Sequence, residues 1–302
     1  MAIDLDQLTA PSREQTRACY PDTEGYVERD GIRVFYEVYG EGEPTVLLLP
    51  TWSVIHSRHW KMQIPYLARH CRVVTFDGRG NGKSDRPPDA AAYDEREFAA
   101  DALAVMDATG TERAVIVGFS LGGQRGLLLA AEQPERIQGA VFIGPAFMGG
   151  GDSLPERTVY DFDTEYETFE GWAKHNRFFW LRDYRDWVEF FVSKMFTEPH
   201  STKPIEDGVA WGLETDAETM IATQDARGLT PDESRVLCGR VRCPVLVIQG
   251  ENDAITSFSR GAAMADQIGG ELVLLEGSGH APHLRDPVQV NLLIRKFVDS
   301  LP

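Results

Sequence analysis

The chain has 302 residues, 42% of them hydrophobic, which is enough for one large α/β domain or one such domain carrying an insertion. Thirty Lys and Arg against 47 Asp and Glu leave a net charge of −17. That balance argues against nucleic acid or an anionic membrane as partner and favours a small-molecule substrate; it leaves the oligomeric state open. The four cysteines, Cys19, Cys71, Cys238 and Cys243, form no C-x-x-C pair and have no histidine at metal-ligand spacing. Reduced thiols are therefore expected, with no metal and no disulfide framework. The opening MAIDLDQLTAPSREQ is acidic and lacks an apolar core, so no secretory signal is read. No apolar run approaches the roughly 18 residues of a membrane span, and a cytoplasmic protein is expected.

In chain order, residues 1–23 are polar and read as an N-terminal arm. Alternating runs at 26–29 and 32–39, split by Asp30-Gly31, predict a β-hairpin. From Thr45 onward continuous apolar strands alternate with helices. The strands fall at 46–49, 72–76, 114–117, 140–143, 244–249 and 271–275, and the helices at about 58–69, 93–109, 121–132, 257–268 and 285–299. Apolar strands between helices imply a parallel sheet buried on both faces, made mixed by the entry hairpin. The alternation stops between 148 and 236, a stretch without strand pattern but dense in aromatics. Trp187, Phe191 and Met195 recur every four residues there, one helical face. This predicts a helical cap over 148–236, set into a core of residues 24–147 and 237–302.

The segment Gly118-Phe119-Ser120-Leu121-Gly122 joins a β-branched strand to a helix. A serine forced into a strained turn leaves no room for a Cβ two positions to either side, so both glycines are steric requirements. The strain lifts the hydroxyl off the sheet edge, and the Leu121 N–H then lies at a helix N-terminus, where an oxyanion is favoured. Such a nucleophile needs a base and an acid that orients the base. His280 lies in Gly277-Ser278-Gly279-His280, a flexible loop at a strand's carboxyl end, where α/β sheets place their sites. His283 is its rival, nearer the final helix and suited to a surface or helix-entry position. Glu251 and Asp253 compete for the acid after the preceding strand, and Asp253 has more of the turn available to reach the histidine loop.

These motifs, with Asp77-Gly78-Arg79-Gly80-Asn81-Gly82-Lys83-Ser84-Asp85-Arg86-Pro87, resemble those of α/β-hydrolase-fold serine hydrolases over roughly residues 25–147 and 237–300. The resemblance implies a cofactor-free enzyme with Ser120, Asp253 and His280 as triad and the Leu121 and Trp52 N–H groups as oxyanion hole. It also gives Arg79 a structural part, tying down its loop. Serine at the elbow argues against the dehalogenase and epoxide-hydrolase branches, which need a carboxylate nucleophile. One departure matters: Pro50-Thr51-Trp52 stands where many relatives carry His-Gly, so Thr51 replaces a flexible glycine. His56, Arg58 and His59 follow, facing either the pocket or solvent. Ester, thioester or lactone hydrolysis is the leading expectation. Carbon–carbon hydrolysis, acyl transfer and perhydrolysis share the triad, and a small-molecule sensor on the same scaffold is the alternative of another class. The aromatics of 148–236 predict an enclosed, apolar acyl or aryl pocket, with His56, Trp180 and Trp187 as candidate walls.

Overall fold

The strands are β1 (Thr23–Arg29), which is largely polar, and the runs richer in β-branched and apolar residues β2 (Ile32–Tyr39), β3 (Thr45–Leu48), β4 (Arg72–Phe76), β5 (Ala114–Phe119), β6 (Ile137–Ile143), β7 (Val245–Gly250) and β8 (Glu271–Leu275). The computed structural model describes residues 19–302, so residues 1–18 of the expected arm lie outside the described residues. The strands make one sheet in the order β1-β2-β4-β3-β5-β6-β7-β8. β1 and β2 turn back on each other at Asp30 and Gly31, both with positive φ, the backbone a two-residue hairpin demands. β2 also runs antiparallel to β4, and every later pairing is parallel. Burial on both faces holds for β3, β5 and β7 but stops at β8. There Leu272 and Leu274, two positions apart and so on one face of the edge strand, reach solvent.

The helices are α1 (Ile64–Leu67), α2 (Glu95–Ala108), α3 (Leu121–Glu132), α4 (Pro155–Thr158), α5 (Arg177–Arg182), α6 (Tyr184–Met195), α7 (Thr202–Gly212), α8 (Ala217–Asp225), α9 (Pro231–Cys238), α10 (Phe258–Ile268), α11 (Pro282–Arg285) and α12 (Pro287–Ser300). Two of them depart from the sequence pattern. The expected helix at 58–69 is a 3₁₀ turn, Ser57–Trp60, followed by the four-residue α1, and Pro65 falls inside α1's first turn, where the lost N–H costs nothing. The expected helix at 285–299 begins at Pro287, capped by Asp286, with α11 as a separate turn before it. Among the described residues no helix is long and apolar enough to cross a membrane.

Between β6 and β7 the chain runs through α4 to α9 without adding a strand. Asn176, Asp183 and Asp216 cap α5, α6 and α8 with their side chains, which is why a polar-flanked aromatic stretch becomes helices. The amphipathic α6 buries Trp187, Val188, Phe191, Val192 and Met195. α9 crosses residue 236, where the sequence pattern changes from cap to core. It does so because Leu237 and Cys238 join the apolar cluster formed by α3, β6 and β7.

The strand-to-helix turn after β5 sets the whole arrangement. A Cβ on Gly118 would lie 2.2 Å from the Gly122 carbonyl oxygen. Backbone meets backbone there, so no side chain can yield. Gly118→Ala is expected to lose more than about 2 kcal/mol of stability in urea unfolding. A loss below about 0.5 kcal/mol would show that the turn opens freely.

Candidate active site

Ser120 links β5 to α3 with φ 54° and ψ −116°, a conformation that a residue with a Cβ seldom adopts. Three backbone hydrogen bonds hold it there. Its N–H donates to Ile143 O at 2.9 Å, and its carbonyl accepts from Gly123 N at 2.9 Å and Ala146 N at 3.0 Å. The Leu121 N–H opens α3, and neither it nor the Trp52 N–H meets an acceptor among the described residues.

The loop carrying Trp52 needs no glycine at Thr51, because a side chain fixes it. Arg125 of α3 donates through Nη1 to Pro50 O at 3.1 Å and also to Thr51 O. Its guanidinium pairs with Glu95 of α2, Nε to Oε2 at 2.9 Å, and lies over the Phe98 ring at 3.4 Å. Arg79 is held in the same manner, with Nε and Nη2 donating to the two Asp101 oxygens at 2.6 and 2.8 Å. Its loop in turn accepts from Ser53 Oγ at the Arg79 carbonyl, 2.6 Å.

Asp253 and His280 come together at the carboxyl ends of β7 and β8. Nδ1 of His280 lies 2.8 Å from Asp253 Oδ2. The carboxylate also accepts from Ile255 N and Thr256 N at 2.8 Å, and from Thr256 Oγ1 and Gln249 Nε2 at 2.9 Å. Burial would push this carboxyl up. The His280 charge and hydrogen bond, with the Thr256 and Ile255 N–H groups, outweigh it and hold the group below its ordinary value. Glu251 is exposed and accepts from Gly277 N at 3.1 Å, so it braces the histidine loop from outside. The loop is anchored from α6 as well, where His280 N donates to Met195 O at 3.0 Å.

Ser120 and Leu121 open into a cavity of about 540 Å³ that Trp52 and Thr256 also line. Its far wall comes from the stretch between β6 and β7: Phe162, Trp172, His175 and Phe191. Trp180, Trp187 and His56 do not line it. The two tryptophans are fully buried and pack against each other at a tilt, ring centroids 4.2 Å apart, behind Trp52, where they form the core of the helical stretch. Nor is the wall purely apolar, since Arg157, Arg227 and Arg260 contribute to it. Arg157 and Arg260 carry no motif, and no local signal in the sequence brings them to this mouth.

A model of the alpha/beta hydrolase fold matches residues 44–287. The chain belongs to the α/β-hydrolase family. It is 29% identical over 277 residues to a putative non-heme chloroperoxidase of Synechocystis sp., covering 88% of this chain and 95% of that protein. It is 28% identical over 285 residues to the human serine hydrolase BPHL, covering 91% of this chain and 86% of that one. Among solved structures it is similar to Est816, described as an N-acyl homoserine lactone degrading enzyme, with a TM-score of 0.74 and 26% identity over 90% of this chain and 100% of that one. It shares its fold with the esterase RhEst1 from Rhodococcus sp. ECU1013, with a TM-score of 0.75 and 24% identity over 93% and 99% of the two chains.

Three further histidines of this α/β hydrolase sit in neither solvent nor cavity. His56 is buried, with Nε2 3.3 Å from Glu214 Oε2, and its ring accepts from Arg58 N to cap the 3₁₀ turn. His283, expected at the surface or at a helix entry, lies in the short α11 ahead of the final helix and is fully buried, its Nε2 3.0 Å from His59 Nδ1. Burial first, and then the His280 charge, lower His283 to about 3, so this pair is neutral at physiological pH. Both rings pack on Phe119, at 5.7 Å for His59 and 4.5 Å for His283, and Phe119 also touches the His280 ring at 4.7 Å.

The Asp253 carboxyl is lowered by folding, so its contribution to stability is complete above the unfolded value, about 3.9, and is lost as pH falls through the lower folded value. Oδ1 of Asp253 accepts two of the five contacts and Oδ2 three, so Asp253→Asn, which puts an NH2 in place of one oxygen, sets a donor against at least two donors. It is expected to destabilise the fold by about 3 kcal/mol at pH 7. The gap between wild type and variant in thermal unfolding should narrow below about pH 4. A gap that stays constant from neutral pH to pH 3 contradicts this account.

Proposed function

We propose that this chain is a cofactor-free serine hydrolase that cleaves small carboxylic esters, thioesters or lactones through an acyl-enzyme. The observation that carries the reading is the 2.8 Å contact between Asp253 and His280 at the carboxyl ends of β7 and β8, the same end of the parallel sheet as the strained Ser120 turn after β5. In this reading Asp253 accepts the His280 Nδ1–H, which leaves Nε2 as the base. Nε2 takes the proton from Ser120 Oγ as the oxygen attacks the acyl carbonyl. The Leu121 and Trp52 N–H groups stabilise the oxyanion, on the order of 3 kcal/mol for each donor. His280 then returns the proton to the leaving alcohol or thiol, and the C–O or C–S bond breaks. Water, deprotonated by the same nitrogen, attacks the acyl-enzyme, and the acid leaves as Ser120 recovers its proton. The Arg125 tether supports Trp52 in this part, since it holds the preceding two carbonyls.

Ser120→Ala should lose hydrolysis of simple aryl esters by on the order of 10⁶ in kcat, along with labelling by a fluorophosphonate, while its thermal unfolding stays near wild type. Labelling that persists in Ser120→Ala protein would refute the nucleophile. Asp253→Asn and Glu251→Gln, assayed side by side, decide the acid: the first should be crippled and the second should retain most activity. Binding of an ester without multiple turnover in the wild type would favour the sensor reading.

A further inference from the structure

On a protein of net charge −17, the cavity above Ser120 presents an excess of positive charge. Among the described residues its one carboxylate, Glu95, is already neutralised by Arg125. Of its three arginines, Arg227 pairs with Glu233 at 2.6 Å. Arg157 and Arg260 have no carboxylate within salt-bridge distance among the described residues. Nη1 of Arg157 donates to the carbonyl of Ile255, whose N–H binds Asp253, and the guanidinium covers the Trp172 ring at 4.6 Å. The remaining N–H groups of Arg157 have no acceptor among the described residues. Among the described residues Arg260, on α10, donates to neutral partners only: Asp152 O at 3.3 Å, Ser153 Oγ at 2.9 Å and Met148 Sδ at 3.5 Å. Burial first, and then the Arg260 charge, bring Arg157 down to about 10, so both remain cations at neutral pH and repel each other.

We infer that Arg157 and Arg260 form an anion subsite, and that the substrate carries a carboxylate besides the bond to be cleaved; this rests on the hydrolase reading above. With Nη1 engaged by Ile255, the Nε and Nη2 edge of Arg157 offers two parallel N–H groups, the fork that matches the two oxygens of a carboxylate. The Phe162 ring on the same cavity wall suits the carbon skeleton of an organic acid. A carboxylate there also relieves the repulsion between the two cations. An enclosed apolar pocket without this charge would instead favour neutral acyl chains.

Binding is measured by calorimetry on Ser120→Ala protein, which holds substrate without turning it over. Two matched pairs are used: 4-acetoxybenzoate against its methyl ester, and mono-p-nitrophenyl glutarate against its methyl ester. They offer the carboxylate on the leaving-group side and on the acyl side. In at least one pair the anion should bind about tenfold tighter than the neutral ester, and the preference should shrink at high salt. Arg157→Met and Arg260→Gln, each added to Ser120→Ala, should reduce that anion-to-neutral ratio by about fivefold or more. Because Arg157 also braces Ile255, Arg260→Gln is the variant that tests the charge with the fold intact. Equal or better binding of the methyl ester in both pairs overturns the subsite, as does a ratio that neither arginine substitution changes. Turnover of the same esters with Ser120 in place tests the hydrolase reading separately. Turnover without charge preference removes the subsite alone, and charge preference without turnover removes the hydrolase reading alone.

Discussion

The Ser120 backbone, at φ 54° and ψ −116°, is the constraint on which the mouth of this sheet depends. A residue with a Cβ stays in that conformation only where the surroundings over-determine it. Here the surroundings are β6 and the turn after it, through Ile143 and Ala146, and the close approach of Gly118 to Gly122. The same closeness brings Gly122 against Pro50, where a Cβ would lie 3.0 Å from the carbonyl oxygen. Serine, helix N-terminus and the loop of Trp52 are therefore one mechanical unit.

Buried ion pairs extend that unit outward. Arg125–Glu95 ties α3 to α2 and spends its other N–H groups on the Pro50 and Thr51 carbonyls. Arg79–Asp101 ties the loop after β4 to the same helix. Buried charges of this kind add little net stability but are costly to leave half-paired, so their value is in fixing a single arrangement. A neutral counterpart is the His59–His283 contact, packed with His280 around Phe119. These groups explain how a site built almost entirely on loops keeps its geometry.

The helices between β6 and β7 do two things at once. Their tryptophans pack on one another to give a small helical body its own core, and a second set of side chains, Trp172, His175 and Phe191, faces the cavity. α6 also reaches the histidine loop through Met195, and Glu198 accepts from Gly279 N at 2.8 Å. The chain that walls the cavity thus also positions His280. The arginines that distinguish this mouth come from opposite sides: Arg157 from α4 and Arg260 from α10.

By itself the sequence determined the order of strands and helices, the parallel sheet, and the three strand ends where Ser120, Asp253 and His280 stand. Each follows from a local rule: apolar runs between amphipathic ones, glycines where backbones nearly touch, polar side chains in turns at strand ends. Local rules also explain the misjudged helix at 58–69, where Pro65 and a 3₁₀ turn outweigh an amphipathic pattern. Only the tertiary structure decided which aromatics face the cavity. Trp180 and Trp172 lie on the same insertion with similar neighbours, and only packing sends one into the core and the other to the wall. The buried His59–His283 pair, the Arg125 tether that replaces a loop glycine, and the meeting of Arg157 with Arg260 were likewise invisible in the chain. Those contacts join residues 74 to 224 positions apart, and no spacing in a sequence encodes a distance closed by the fold.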